Sequence, residues 1–143
     1  MRPALLLTSR FALSAIFLYA AATKVPDMVG FAQDFANFRL VPPGLVPYGA
    51  SAVVGIEVVL GLALATGFGA RSAALAAGGL LVIFLGALAQ ALLRGIDLRC
   101  GCFGNDELAS WWTVARDALL LVPAALVVWV KPDGQLGRST TKY

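Results

Sequence analysis

From Ser72 to Leu93 the chain runs for 22 residues without a charged side chain. A helix crossing the hydrocarbon of a bilayer needs about 20 mostly apolar residues, so this stretch alone is long enough to span. Leu40 to Ala70 is a further 31 residues broken only by Glu57, and Ala118 to Val130 adds 13 more, reaching back to Leu108 once Arg116 and Asp117 are tolerated. Of the 143 residues, 59% are apolar and 13% charged, against about half and a quarter in soluble domains. The chain therefore reads as an integral membrane protein. The same counts exclude a disordered chain, a collagen-like repeat, a basic nucleic-acid-binding face and a disulfide-dense secreted scaffold. A net charge of +3 from 11 basic and 8 acidic residues is what positively biased membrane loops produce.

Four segments qualify as spans, at about 3–22, 46–66, 72–93 and 111–130, leaving short loops and a polar tail at 131–143. The expected fold is all-α: one transmembrane domain over 1–143, an integral membrane four-helix bundle. The first span shares features with a signal peptide, with Arg2 ahead of an apolar run and Ala20-Ala21-Ala22 as small residues, but is expected to be retained. Between the first two spans, Met28, Phe31, Phe35 and Phe38 recur every three or four residues while Gln33, Asp34 and Asn37 fall elsewhere. This predicts a short amphipathic helix, lying on the membrane surface or packed on the bundle as a lid. Asp27 is its expected N-cap and Pro42-Pro43 its expected stop. Small residues in the second and third spans, such as Gly55, Gly61, Ala73, Ala77 and Gly78, let helices approach closely; they permit a homo-oligomer or assembly into a membrane complex without requiring either. Pro123 is expected to kink the fourth span, and Trp111, Trp112, Tyr48 and Trp129 stand where interfacial anchors belong.

Four spans put both termini on one side. That side carries Arg2, Arg71, Lys131, Arg138 and Lys142, against Lys24, Arg39, Arg94 and Arg99 opposite, a small Lys/Arg bias that assigns the termini to the cytoplasm. The loop after the third span then faces outward. It holds the only cysteines, Cys100 and Cys102, on either side of Gly101. A disulfide between residues i and i+2 closes a small ring, strained enough to be labile and suited to exchange. Arg94 and Arg99 flank the pair and favour thiolate, the attacking species. Three other readings compete, the plainest being that the pair is unreactive. As a structural staple the pair constrains little of the unfolded chain; as a soft-metal site it lacks any histidine or third cysteine to close a zinc shell, so no metal ligand set is assigned.

The second group of candidates is the charges inside the spans. Counted from the span ends, Arg10 and Glu57 fall at similar depth, roughly 10 to 13 Å in at about 1.5 Å per residue, and are expected to pair as a clamp between helices or to serve a proton or quinone-headgroup site. Arg116 and Asp117 lie one to two turns into the fourth span; the expected arrangement sends Arg116 toward the cysteines, tuning their thiolate, or out to the interface, with Asp117 contacting another span or Arg94.

These residues carry a resemblance. Arg10, Phe17 and Lys24, then Pro42, then Glu57 with Gly61, then Arg94-Gly95 leading into Cys100-Gly101-Cys102-Phe103-Gly104, then Trp112 and Arg116-Asp117, resemble the MauE branch of the DoxX-like four-span membrane proteins. The resemblance implies thiol–disulfide or electron-transfer chemistry at the outer face of a prokaryotic inner membrane, helping a periplasmic thioredoxin-like or disulfide-containing partner. The architecture is also similar to quinone-linked disulfide-forming proteins of the DsbB and vitamin K epoxide reductase type, which implies a quinone as cofactor. Those proteins generally use a CxxC pair with additional loop cysteines, whereas this chain has one CxC pair. The function expected is that of a membrane thiol–disulfide oxidoreductase or redox accessory in which Cys100 and Cys102 react. The alternative is a non-enzymatic docking subunit of a larger complex or a soft-metal carrier.

Overall fold

The computed structural model describes residues 2–97 and 108–130. Within them the chain forms α1 (Arg2–Lys24), a 3-10 turn (Val25–Asp27), α2 (Met28–Asn37), a second 3-10 turn (Pro43–Leu45), α3 (Val46–Thr66), α4 (Ala70–Leu93), α5 (Trp111–Leu119) and α6 (Leu121–Trp129). Among these residues four helical stretches are long and apolar enough to cross a membrane: Pro3–Asn37, Pro43–Thr66, Ala70–Leu93 and Trp111–Trp129. The expected four-span, all-helical architecture is therefore present.

The spans close into a ring. α1 packs along α3, α3 meets α4, α4 packs on α5 and α6, and α6 returns to α1. The core where they meet is built from Leu13, Phe17, Leu60, Leu64 and the alanines 73, 74, 77 and 124, small enough to bring the helix backbones close. Phe11, Val59, Ile83 and Leu119 stand exposed around the outside, a surface suited to lipid rather than water.

The register between α1 and α3 is fixed at one point. A Cβ on Gly61 would lie 2.6 Å from the side chain of Leu18, so only glycine lets the helices pass this closely, and the Ser14 hydroxyl donates to the Gly61 carbonyl at 2.8 Å. Beyond Thr66 the chain reverses through Gly67 and Gly69, both left-handed at φ 79° and 57°, a conformation that favours glycine.

The fourth span is interrupted at Leu120, in keeping with the kink expected from Pro123, and Leu120 itself keeps helical angles at φ -68° and ψ -16°. Pro123 has no N–H to give the carbonyl of Leu119 and its ring crowds that carbonyl, so α5 ends at Leu119 and Leu120 closes it with a tighter bond to Asp117 O at 3.1 Å.

α2 begins where expected: Asp27 Oδ1 accepts from Gly30 N at 2.8 Å. It ends earlier than the prolines predict, at Asn37, with Arg39 left-handed at φ 54°. The physical reason is a tertiary one: Gln90 of α4 donates its side-chain amide to Phe38 O at 3.1 Å, satisfying a carbonyl the helix end leaves free, and Phe38 packs edge-on against Phe84 with centroids 6.1 Å apart. This amphipathic helix packs on the bundle as a lid does: Phe31, Phe35 and Phe38 line the space beneath it, and a Cβ on Gly49 of α3 would meet the Phe35 ring at 2.8 Å.

Candidate functional site

Under the α2 roof lies a cavity of about 340 Å³, within the range of small-molecule sites. Its walls are almost wholly apolar, with the rings of Phe17, Phe31, Phe35, Phe38 and Phe84 and aliphatic side chains such as Ile16, Val53, Leu80 and Leu120. Into this lining project three ionisable side chains and no other polar ones: Lys24, Glu57 and Asp117, exposed by only 4%, 7% and 2%. Ile83, which also lines the cavity, is 70% exposed on α4.

Lys24 and Glu57 form an ion pair, Nζ to Oε1 at 2.7 Å, with the Lys24 ammonium 5.2 Å from the Phe31 ring centroid. Helix geometry produces the pairing. Side chains lean toward the N-terminus of their own helix, and α1 and α3 are antiparallel. Lys24, at the last turn of α1, leans back into the bundle, while Glu57, mid-way along α3, leans out toward it. The remaining carboxylate oxygen, Glu57 Oε2, is buried with no hydrogen-bond partner among the described residues.

The expected Arg10–Glu57 pair is not formed. The register set at Gly61 carries Arg10 to the opposite end of α3, where a Cβ on Gly67 would lie 2.8 Å from its Nη1. The α1 residue level with Glu57 is then near Ala20, about ten residues or 15 Å from Arg10. The tilt of the side chains separates them further, since Arg10 leans toward the terminal end and Glu57 away from it. Arg10 instead lies over the Phe11 ring at 5.0 Å, its Nε buried without a hydrogen-bond partner among the described residues. Counting depth from the span ends treated both helices as starting level; α1 runs past the end of α3 by about two turns.

Asp117 faces the cavity, and its Oδ1 accepts from Nε of its chain neighbour Arg116 at 3.1 Å, where another span or Arg94 was the expected contact. Arg94 is exposed at the end of α4, where its Nη1 donates to Gln90 Oε1 at 3.1 Å. Arg99, Cys100 and Cys102 lie outside the described residues. The chain leaves α4 at Leu93 and enters α5 at Trp111 at the same end of the bundle as the cavity.

Sequence reasoning missed Lys24 as the partner of Glu57, treating it as a loop charge. The available signal was the rule that a carboxylate within a span needs a cation, applied with the side-chain tilt rather than with a depth count.

The sequence profile of the family described as "Methylamine utilisation protein MauE" matches residues 2–130. The methylamine utilization protein MauE of Paracoccus denitrificans is 33% identical over 130 residues, covering 89% of this chain and 69% of the relative. No solved structure matches. With a match that spans every described helix, the chain belongs to the MauE family, as a multi-pass membrane protein of that family.

Proposed function

We propose that this protein is a redox accessory of the prokaryotic inner membrane, contributing to methylamine utilisation as the name of its relative implies, and working by thiol–disulfide exchange linked to a quinone. Cys100 and Cys102 face the extracytoplasmic side with the termini in the cytoplasm, and exchange disulfides or electrons with a thioredoxin-like or disulfide-containing partner. One cysteine attacks and the other resolves the mixed disulfide. Arg94, Arg99 and Arg116 favour the thiolate by their charge.

The observation that carries the reading is the apolar cavity holding a buried ion pair at the end of the bundle from which the cysteine-bearing connection departs. Its residues fit a lipophilic quinone. A benzene ring is accommodated in an apolar cavity of about 150 Å³, so about 340 Å³ takes a substituted ring and the beginning of a tail. Five phenylalanine rings offer stacking surfaces, and the Lys24–Glu57 pair supplies the convergent polar groups that orient a head group. A quinone, when bound, would supply an acceptor for two electrons and two protons; Lys24 and Glu57 would hold its head by hydrogen bonds while compensating each other's charge, and the phenylalanines would exclude water.

Alkylation and mass spectrometry of the membrane-embedded protein in defined thiol–disulfide buffers tests the reading. Cys100 and Cys102 are expected to convert between dithiol and disulfide across the buffer series. A pair fixed in one state throughout would overturn it. Exchanging both for serine is expected to abolish partner maturation while leaving assembly intact; unchanged maturation would point to docking instead, and stoichiometric metal lost on the exchange to metal transport.

A further inference from the structure

Of the two redox forms of a quinone, we infer that this cavity is built to hold the reduced one, the quinol. The inference rests on the quinone-linked reading above and names the redox form it favours.

The argument is an account of hydrogen-bonding capacity. The ammonium of Lys24 has three donors; one is given to Glu57 Oε1 at 2.7 Å, and the group lies 5.2 Å from the Phe31 ring centroid. Glu57 Oε2, in the same carboxylate, is a buried acceptor with no hydrogen-bond partner among the described residues. The ion pair therefore holds a remaining donor and an unpartnered acceptor beside each other, in two side chains that line an otherwise apolar space.

A hydroxyl matches both. Its oxygen accepts from Lys24 Nζ while its proton is donated to Glu57 Oε2, completing the carboxylate. A quinone carbonyl accepts only, so it takes the Lys24 proton and leaves Oε2 unpaired and facing a lone pair. A buried acceptor left without a donor is costly, and hydrogen bonds to charged groups are the strong ones. The two forms thus differ by one charge-assisted bond. The third ionisable group, Asp117, accepts from Arg116 and adds no donor that would favour a carbonyl.

Tighter binding of the quinol raises the reduction potential of the bound couple by about 30 mV for each tenfold in affinity. The bound couple would thereby be a stronger acceptor of the two electrons and two protons that a dithiol gives up on becoming a disulfide, while the direction of net turnover follows the free thiol and quinone couples.

The test is anaerobic titration calorimetry of the full chain in nanodiscs, with decylubiquinone and decylubiquinol as the probes, and with Cys100→Ser and Cys102→Ser together so that no electrons move. The quinol is expected to bind at least tenfold more tightly than the quinone. Glu57→Gln, whose amide can turn a donor toward a carbonyl, is expected to bring the ratio to near one; a second variant, Lys24→Met with Glu57→Leu, keeps the site free of unpaired charge and is also expected to lose the preference. Equal affinity, or tighter quinone binding, in the Glu57 protein overturns this inference and leaves the quinone-linked reading standing. Binding of neither probe overturns both.

Discussion

The ammonium of Lys24 lies 2.7 Å from Oε1 of Glu57, with both residues buried, although 33 positions separate them in the chain. Breaking this pair from one side strands a charge in a low-dielectric bundle. Glu57→Ala or Lys24→Ala is expected to lose about 3–5 kcal/mol of stability. The double variant Lys24→Met with Glu57→Leu is expected to recover most of that loss. Unfolding by denaturing detergent in bicelles measures the cycle, and additive single effects would show that the pair does not hold the helices together.

At Gly61 the closeness of α1 and α3 is a matter of one missing methyl group. Gly61→Val is expected to cost about 1–3 kcal/mol by overpacking, since its Cβ lands on Leu18 at 2.6 Å. Gly79→Ala on α4, with nothing within 4 Å, is expected to be neutral or slightly stabilising because alanine is the better helix former. The same unfolding measurement separates the two, and equal effects would refute the register described for α1 and α3.

Gln90 fastens the roof. Gln90→Leu removes the donor to Phe38 O and is expected to cost about 1 kcal/mol globally. Its clearer effect is local: amides of residues 28–38 are expected to exchange with deuterium faster while those of α3 keep their protection. Exchange that stays unchanged in α2 would show that the contact does not pin this helix.

Pro123 is the reason the fourth span divides into α5 and α6. Pro123→Ala restores an N–H for the Leu119 carbonyl and is expected to merge the two helices into one, with a newly protected amide at residue 123 visible by NMR or hydrogen exchange. Because Asp117 sits one turn before the break, its carboxylate is expected to shift relative to the cavity and weaken binding of a quinone probe severalfold.

Much of the fold was legible because membrane spans are written in bulk composition: the run at 40–70, broken only by Glu57, and the uncharged run at 72–93 are too long to miss, and Asp27 and Pro123 act through local backbone chemistry that the sequence carries. The site was legible in part. Glu57 and Asp117 stand out as carboxylates in apolar surroundings, and both line the cavity. What escaped is what depends on how helices lie against each other. The partner of Glu57 is chosen by the register at Gly61 and by side-chain tilt, which moves the cation from Arg10 to Lys24. The end of α2 is chosen by Gln90, 52 residues from the carbonyl it caps, and no local signal at Pro42 reports that.

Ile83 belongs at once to the cavity wall and to the exposed side of α4, while α2 is tied down over one end of the bundle. A ligand that entered past Ile83 would come sideways, out of the lipid, without crossing the aqueous phase. For such a guest the relevant concentration is its mole fraction in the bilayer, far above anything a greasy molecule reaches in water. A site entered in this way can hold its ligand loosely, stay filled, and still release it quickly to the membrane pool.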